Sequence, residues 1–184
     1  MERQSAYNLL KDYVKSEKMI IHSLSSEAVL RAIARKTDQD EEKYGIAGLL
    51  HDIDVEITNA DPKTHGIKCI DILEANGIEA DIIDAIAMHN EEASGKERET
   101  EFQHALAAGE TITGLIYATA LIYPDKKIAS VKYKSVTKRM KQKAFAASVS
   151  RENILECEKI GLSLEEFVQI SVDAMREISE EIGL

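Results

Sequence analysis

The chain has 184 residues, a length that suits one domain or one domain with a helical extension. Hydrophobic residues make up 44% of it, and the abundance of Glu, Lys, Ala, Ile and Leu with only two Pro favours helices over a sheet. The net charge of −10 disfavours general nucleic-acid binding. We therefore predict an all-α protein for which nucleic acid is not the expected partner.

The first residues are amphipathic and charged, without the apolar core of a signal peptide. The longest largely apolar stretch, 115–123, is about half of a membrane span. Cys69 and Cys157 lie far apart and outside any CxxC pattern, so we predict reduced, buried or half-buried thiols. These features predict a cytoplasmic protein that has no membrane partner.

The spacing of apolar residues and the positions of capping residues predict about eight or nine helices. The first two cover 3–15 and 18–35. The third begins at Asp38 or Asp40 and ends at His51, and the fourth runs from Asp61 or Thr64 to Asn76–Gly77. The others cover 79–92, 102–123, a short segment around 131–140, a short segment from Ser150 to Gly161, and 164–182.

Four of the five histidines, His22, His51, His65 and His89, lie at or near the ends of predicted helices, where side chains from different helices can converge. Asp52 directly follows His51, and an imidazole with a carboxylate suits a divalent metal that activates water. On an apolar stripe, as for His89, a histidine is more often a core residue than a ligand. The other histidines make a ligand the better interpretation.

The order of these residues, H…HD…H…H followed by an acidic residue, resembles the HD-domain (HDIG-type) metal-dependent phosphohydrolase superfamily. The stretch AGLLHDID at 47–54 is similar to that family's AGLLHDIG signature. The resemblance covers most of the chain and implies a single HD-type helical bundle over 1–184. Its core would span about 16–123, and 124–184 would form a C-terminal helical extension.

The resemblance also implies a set of metal ligands: His22, His51, Asp52, His65, His89 and Glu110. The family usually has an aspartate in a pattern like AADxLTGLI, whereas this chain reads AAGETITGLI and has Glu110 at that position. Members with the two additional histidines tend to be binuclear. We therefore prefer a site with two ions, bridged by Asp52, to a site with one ion. The metal would be Fe, Mn, Mg, Co, Ni or Zn.

Asp52 and Asp54 are the predicted catalytic residues. Asp54 and Glu56 follow the His-Asp pair as HDxDxE. They can support the metal ligands or orient water, or they can be solvated loop acids, and the sequence leaves both interpretations open. His104 is predicted to be structural or exposed.

The segment Lys126–Lys143 contains eight basic residues and no acidic one, which leaves a charge of about −18 on the rest of the chain. We predict that Lys126, Lys127, Lys138 and Arg139 attract or contact a substrate phosphate. The alternative is a solvated basic face that balances an acidic protein.

The resemblance implies hydrolysis of a nucleotide-type phosphate ester or anhydride, with a small phosphorylated molecule as partner. One alternative is a degenerate HD domain that binds a nucleotide or metal as a sensor without turnover, an interpretation favoured by Glu110 and Asp54. Another is a helical interaction protein that uses the basic segment to bind an acidic partner or RNA. No GxxxxGK[ST], GxGxxG or GxSxG motif occurs, which disfavours a Walker-type nucleotide fold and an α/β-hydrolase.

Overall fold

The structure is a computed structural model that describes residues 1–184. It contains ten α-helices and no strand, which confirms the prediction of an all-α bundle. The helices are α1 (Arg3–Tyr13), α2 (Glu17–Thr37), α3 (Glu41–Leu50), α4 (Cys69–Ala75), α5 (Ala80–Met88), α6 (Glu91–Ser94), α7 (Glu101–Leu121), α8 (Tyr133–Met140), α9 (Arg151–Leu155) and α10 (Leu164–Glu177). Two 3₁₀ turns cover Ile128–Ser130 and Glu156–Ile160.

The long helices α2 and α7 form the centre of the bundle. Helix α3 packs on α2 at very close range, since a Cβ atom on Gly48 would lie 2.7 Å from the carbonyl oxygen of Ser26. Helix α7 also packs closely on α2, where a Cβ on Gly109 would overlap Leu30. These two glycines allow close backbone approach, and the close packing brings the His22 region of α2 next to the end of α3.

The predicted fourth helix is shorter in the structure, and the chain between α3 and α4 forms successive turns. Gly66 has φ +86°, which interrupts a helix, and the carboxylate of Asp54 accepts hydrogen bonds from the backbone N–H groups of Gly66 and Cys69. His65 therefore lies in a turn rather than in a regular helix. The turn folds the chain back on itself and places His65 opposite the end of α5.

The predicted helix 79–92 is divided in two at His89. Helix α5 ends at Met88, and Asn90 has an extended backbone before the single turn of α6. The side chain of Asn90 donates hydrogen bonds to the carbonyl oxygens of Pro62 and His65. These bonds tie the end of α5 to the turn that carries His65.

The C-terminal helices cover the bundle around α7. Helix α9 and the 3₁₀ turn Glu156–Ile160 pack on α7, and α10 packs on α2. Residues beyond 124 thus contribute walls to the region around His22. None of the ten helices combines the length and the apolar character that a membrane span requires.

Candidate metal centre

Four imidazoles surround the carboxylate of Asp52. His22 projects from α2, His51 and Asp52 directly follow α3, His65 lies in the turn before α4, and His89 follows α5. The Nε2 atoms of His65, His51 and His89 lie 3.0, 3.4 and 3.7 Å from Asp52 Oδ1. His22 Nε2 lies 3.5 Å from Oδ2. The structure therefore brings together five of the six residues predicted as ligands around one carboxylate.

The five side chains form two groups that share Asp52. One contains His22 and His51, the other His65 and His89, and within each group the nearest ligand atoms all lie within 4.8 Å of one another. The Nε2 atoms of His22 and His51 are 3.1 Å apart, and the same distance separates those of His65 and His89. Ligands bonded to one ion at about 2.1 Å are separated by roughly 3–3.5 Å, so this spacing suits one ion in each group.

The Nδ1 atoms of His51 and His89, which point away from Asp52, form hydrogen bonds with backbone carbonyl oxygens. His51 Nδ1 donates to the carbonyl oxygen of Gly48 at 2.9 Å, and His89 Nδ1 donates to that of Ile86 at 2.6 Å. A carbonyl oxygen only accepts, so the ring proton of each neutral histidine must be on Nδ1. The lone pair of each then lies on Nε2 and points towards Asp52.

His22 is oriented in the same way by a hydroxyl group. Thr113 Oγ1 donates to the carbonyl oxygen of Glu110 at 2.6 Å, and it lies 3.0 Å from His22 Nδ1. Because the hydroxyl proton is already used, the hydroxyl accepts from His22 Nδ1 and leaves the lone pair of His22 on Nε2.

Burial keeps three of the four rings neutral. It lowers the pKa of His51 and His89 to about 4, and it also lowers the pKa of His22. His22 and His51 thus direct two lone pairs at each other across 3.1 Å with no proton between them. Two facing lone pairs need a cation, so the donor set fits a divalent metal.

Asp52 and His65 carry the charges of the cluster. Burial opposes ionisation of Asp52, but the surrounding imidazoles outweigh it and hold the pKa of this carboxyl well below its usual range. Burial also opposes a charge on His65, but hydrogen bonds to Asp52 and Asp54 raise its pKa to about 10. Without a cation, His65 is therefore protonated at neutral pH, and binding a metal through Nε2 would release this proton.

Asp54 is completely buried behind His65. Its Oδ1 lies 2.7 Å from His65 Nδ1, and its carboxylate accepts from the N–H groups of Gly66 and Cys69. This burial excludes the interpretation of Asp54 as a solvated loop acid. Glu56 is exposed, and it accepts hydrogen bonds from the backbone N–H groups of Lys15 and Ser16 at the start of α2.

Glu110 lies at the edge of the cluster. Its Oε2 is 3.7 Å from His22 Nε2, while its other oxygen accepts a hydrogen bond from Thr111. Burial raises the pKa of Glu110 to about 8, and the nearby Asp52 adds to the effect. The structure therefore places Glu110 beside His22 but outside the two tight groups.

A buried arginine that the sequence analysis did not identify holds the end of α5. Arg98 donates to the carbonyl oxygens of Met88 at 2.8 Å and His89 at 2.6 Å, and to Glu156 Oε1 at 2.6 Å. The other oxygen of Glu156 lies 2.9 Å from Nδ1 of His104, which is buried. A basic residue in a polar, charged stretch gives no sequence signal of such a role.

The predicted phosphate-contacting residues lie away from the cluster. Lys126, Lys127 and Lys138 are exposed, and the guanidinium of Arg139 lies over the ring of Phe145 at 4.5 Å. None of these four lines the cavity of about 470 Å³ next to His22 and Asp52, whereas Lys18 does. The sequence analysis missed Lys18, which carries no motif and lies at the exposed start of α2.

Comparison with known proteins places this geometry in a family. The model of the HD domain family matches residues 19–127, which is more than half of the chain. Two curated proteins named Ribonuclease Y, from Nitratidesulfovibrio vulgaris strains DP4 and Hildenborough, are each 32% identical over 99 residues. The match covers 54% of this chain but only 18% of either relative.

No solved structure gave a significant match. The HD family generally comprises metal-dependent phosphohydrolases, and the matched residues include every histidine and acidic residue of the cluster. The resemblance of the AGLLHDID stretch is thereby confirmed: the chain belongs to the HD domain family.

Proposed function

We propose that this protein is a metal-dependent phosphohydrolase acting on a small phosphorylated molecule, of nucleotide type, by metal-activated water. The observation that carries the proposal is the convergence of oriented imidazole lone pairs on the ionised carboxylate of Asp52. His22 and His51 direct unprotonated Nε2 atoms at each other, an arrangement that a cation would stabilise, and the two groups offer places for two ions.

His22, His51 and Asp52 would hold one ion, and Asp52, His65 and His89 the other. A bound divalent cation supplies two effects, a lower pKa of coordinated water and polarisation of a phosphate oxygen. Oδ2 of Asp52 faces His22, and its Oδ1 faces the other three imidazoles, so this carboxylate would serve both groups. Glu110 is close enough to His22 to complete the first group after a small movement of its side chain.

Asp54 has no exposed surface with which to contact a substrate. We propose that it acts through His65: its carboxylate accepts a hydrogen bond from Nδ1–H and keeps the Nε2 lone pair directed inward. Arg98 has the corresponding role for His89, through the backbone carbonyl rather than the ring. Asp54 would thus orient His65, and Arg98 would orient His89, without contacting the metal.

Lys18 is the basic residue nearest to a substrate in this proposal, because it lines the cavity beside His22. The basic segment Lys126–Lys143 lies outside that cavity and would act on a phosphate only by long-range attraction. RNA is a second candidate substrate, favoured by the relatives named Ribonuclease Y, although the chain spans less than a fifth of their length.

Metal analysis of the purified protein tests the proposal, followed by hydrolysis assays on phosphomonoesters, phosphodiesters and short RNA with the identified metal. We expect up to two ions per chain, and loss of hydrolysis in His51→Ala. His104→Gln is the matched control, because this buried histidine lies outside the cluster and glutamine can still donate to Glu156. Absence of bound metal, or equal activity of the two variants, would contradict the proposal.

The same assays address the alternative of a sensor without turnover. A protein that binds the metal and a nucleotide but hydrolyses none of the substrates would fit the sensor. Hydrolysis that depends on added metal and on His51 would fit the enzyme.

A further inference from the structure

The cavity of about 470 Å³ beside the candidate metal centre has three walls. Helix α2 supplies Ile21, and α7 supplies Tyr117 and Leu121 on the next side. The third wall is the segment 144–150, which follows α8 and contributes Ala146, Ser148 and Val149. His22 and Asp52 lie at the inner end. A cavity of similar volume between α4 and α5 is lined by none of the cluster residues.

A single buried arginine holds the third wall in place. Arg151 is 8% exposed, and no carboxylate forms an ion pair with it. Its guanidinium donates only to backbone carbonyl oxygens, those of Arg139, Gln142, Phe145, Ala146 and Val149. The bonds to Val149 and Ala146 measure 2.7 and 2.9 Å. Three of these carbonyl groups, those of Phe145, Ala146 and Val149, belong to the segment 144–150. The other two belong to the last turn of α8 and the residues after it, so Arg151 ties the segment to the end of α8.

The wall also packs directly on α7. A Cβ atom on Gly114 would lie 3.2 Å from Val149 Cγ2, closer than an ordinary contact. Ser148 and Val149 line a second cavity as well, of about 240 Å³, together with His22 and Glu110. The segment thus borders both cavities that reach His22 and limits what can approach this residue.

The chemistry of the larger cavity limits the type of ligand. Ile21, Tyr117 and Leu121 give it an apolar lining, and Lys18 is the only cation among its lining residues. One cation suits one phosphate group, whereas a polynucleotide backbone needs a row of cations. The volume lies in the range of about 300–1,000 Å³ that small-molecule sites occupy.

We propose that the segment 144–150, fixed by Arg151, is the size-limiting wall of a substrate pocket for a compact phosphate monoester. The phosphate lies between Lys18 and the cluster, and a flat apolar or aromatic group packs against Tyr117. Arg151 is a positioning residue that acts through the wall. The inference rests on the proposed function for the position of the phosphate and deepens it by naming the substrate class.

A binding experiment without turnover tests the pocket. The chain contains no Trp, so Tyr117→Trp introduces a single Trp, which serves as the fluorescent probe of the pocket. In the metal-loaded protein, 4-nitrobenzylphosphonate, which is not hydrolysed, is expected to quench this Trp with saturation. Tyr7→Trp on α1 is the control and should show no saturable quenching. Equal behaviour of the two probes would overturn the proposal.

Two neighbouring residues of the loop give a matched pair for the wall. Both are exposed, but Ser148 lines both cavities next to His22 and Ala147 lines neither. We expect Ser148→Trp to raise the KM for 4-nitrophenyl phosphate by about tenfold or more. Its kcat and metal content should change little, and Ala147→Trp should match the unmodified protein. Equal KM values for the two variants would overturn the proposal that this segment limits the size of the pocket.

Arg151→Met tests the anchor, and Arg151→Lys is its conservative counterpart. The quenching affinity of the Tyr117→Trp probe should fall by about tenfold with methionine and less with lysine, with the metal content unchanged. Should Arg151→Met fail to fold, the comparison of KM between Ser148→Trp and Ala147→Trp still tests whether the segment limits the pocket. Preference for short RNA over 4-nitrophenyl phosphate would overturn the substrate class, whereas absence of all hydrolysis would contradict the proposed function and leave the quenching result valid.

Discussion

Asparagine in place of Asp54 is expected to change which ring nitrogen of His65 carries the proton. Asp54 accepts from His65 Nδ1 at 2.7 Å, from Gly66 N–H at 2.9 Å and from Cys69 N–H at 3.0 Å. Asparagine has one oxygen, which the two backbone donors require, so its NH₂ group would face His65 Nδ1. That nitrogen must then accept, and the ring proton moves to Nε2, where it blocks the lone pair that would bind a metal.

The expected magnitude follows from the role of such a supporting carboxylate. Its loss typically weakens metal binding by about 10–100-fold, equivalent to roughly 1.4–2.7 kcal/mol. The effect should be confined to the ion held by His65 and His89, because His22 and His51 are oriented by Thr113 and Gly48. We therefore expect Asp54→Asn to retain one ion at nearly unchanged affinity and to weaken the second.

Calorimetric titration with Mn²⁺ or Zn²⁺, together with elemental analysis of the loaded protein, measures this difference. Thr58→Val is the control, because Thr58 is buried in the same turn and donates to the backbone carbonyl of Asp54, not to its carboxylate. Two ions bound to Asp54→Asn with the affinity of the unmodified protein would refute the role assigned to Asp54.

Three further predictions concern support, charge and packing. Arg98→Met should lower the free energy of unfolding, measured with urea, by about 3–5 kcal/mol, because it leaves Glu156 without its arginine. It should also weaken binding of the ion at His65 and His89, and an unchanged affinity for that ion would show that Arg98 does not position His89. Since the pKa of His65 is raised to about 10, metal binding should release at least one proton near neutral pH. The metal affinity should then fall by about tenfold for each unit that the pH drops from 9 to 7. Calorimetry in buffers of different ionisation enthalpy measures the number of protons released on metal binding, and His65→Ala should no longer release this proton. Gly48→Ala should destabilise the fold by about 1–3 kcal/mol, because its Cβ meets the backbone at Ser26; thermal unfolding should show a smaller loss for Gly114→Ala, which meets only a side-chain methyl group.

The sequence alone was enough to predict the all-α class and the family. Apolar spacing and capping residues are local signals, and they located most helices because each helix buries one side. The AGLLHDID stretch identified the family for a different reason: an adjacent histidine and aspartate at the end of a tightly packed helix combine a packing requirement, at Gly48, with ligand chemistry, at His51 and Asp52.

Other features depended on contacts between residues far apart in the chain. The orientation of each imidazole is set by a partner that no spacing reveals, such as Thr113 for His22, 91 residues away. Arg98, Lys18 and Arg151 belong to no motif, and their surroundings became visible only after the helices were packed. The basic segment shows the reverse case: its charge was evident in the sequence, but its position away from the cavity was not.

The order of residues thus determined which groups are available to bind a metal and where the helices begin and end, because both depend on neighbours in the chain. The tertiary structure alone decided which lone pairs converge, which acids are buried behind them, and which loop closes the adjacent cavity. Those properties depend on atoms brought within a few ångströms by packing, and packing is a relation between distant segments that local sequence does not contain.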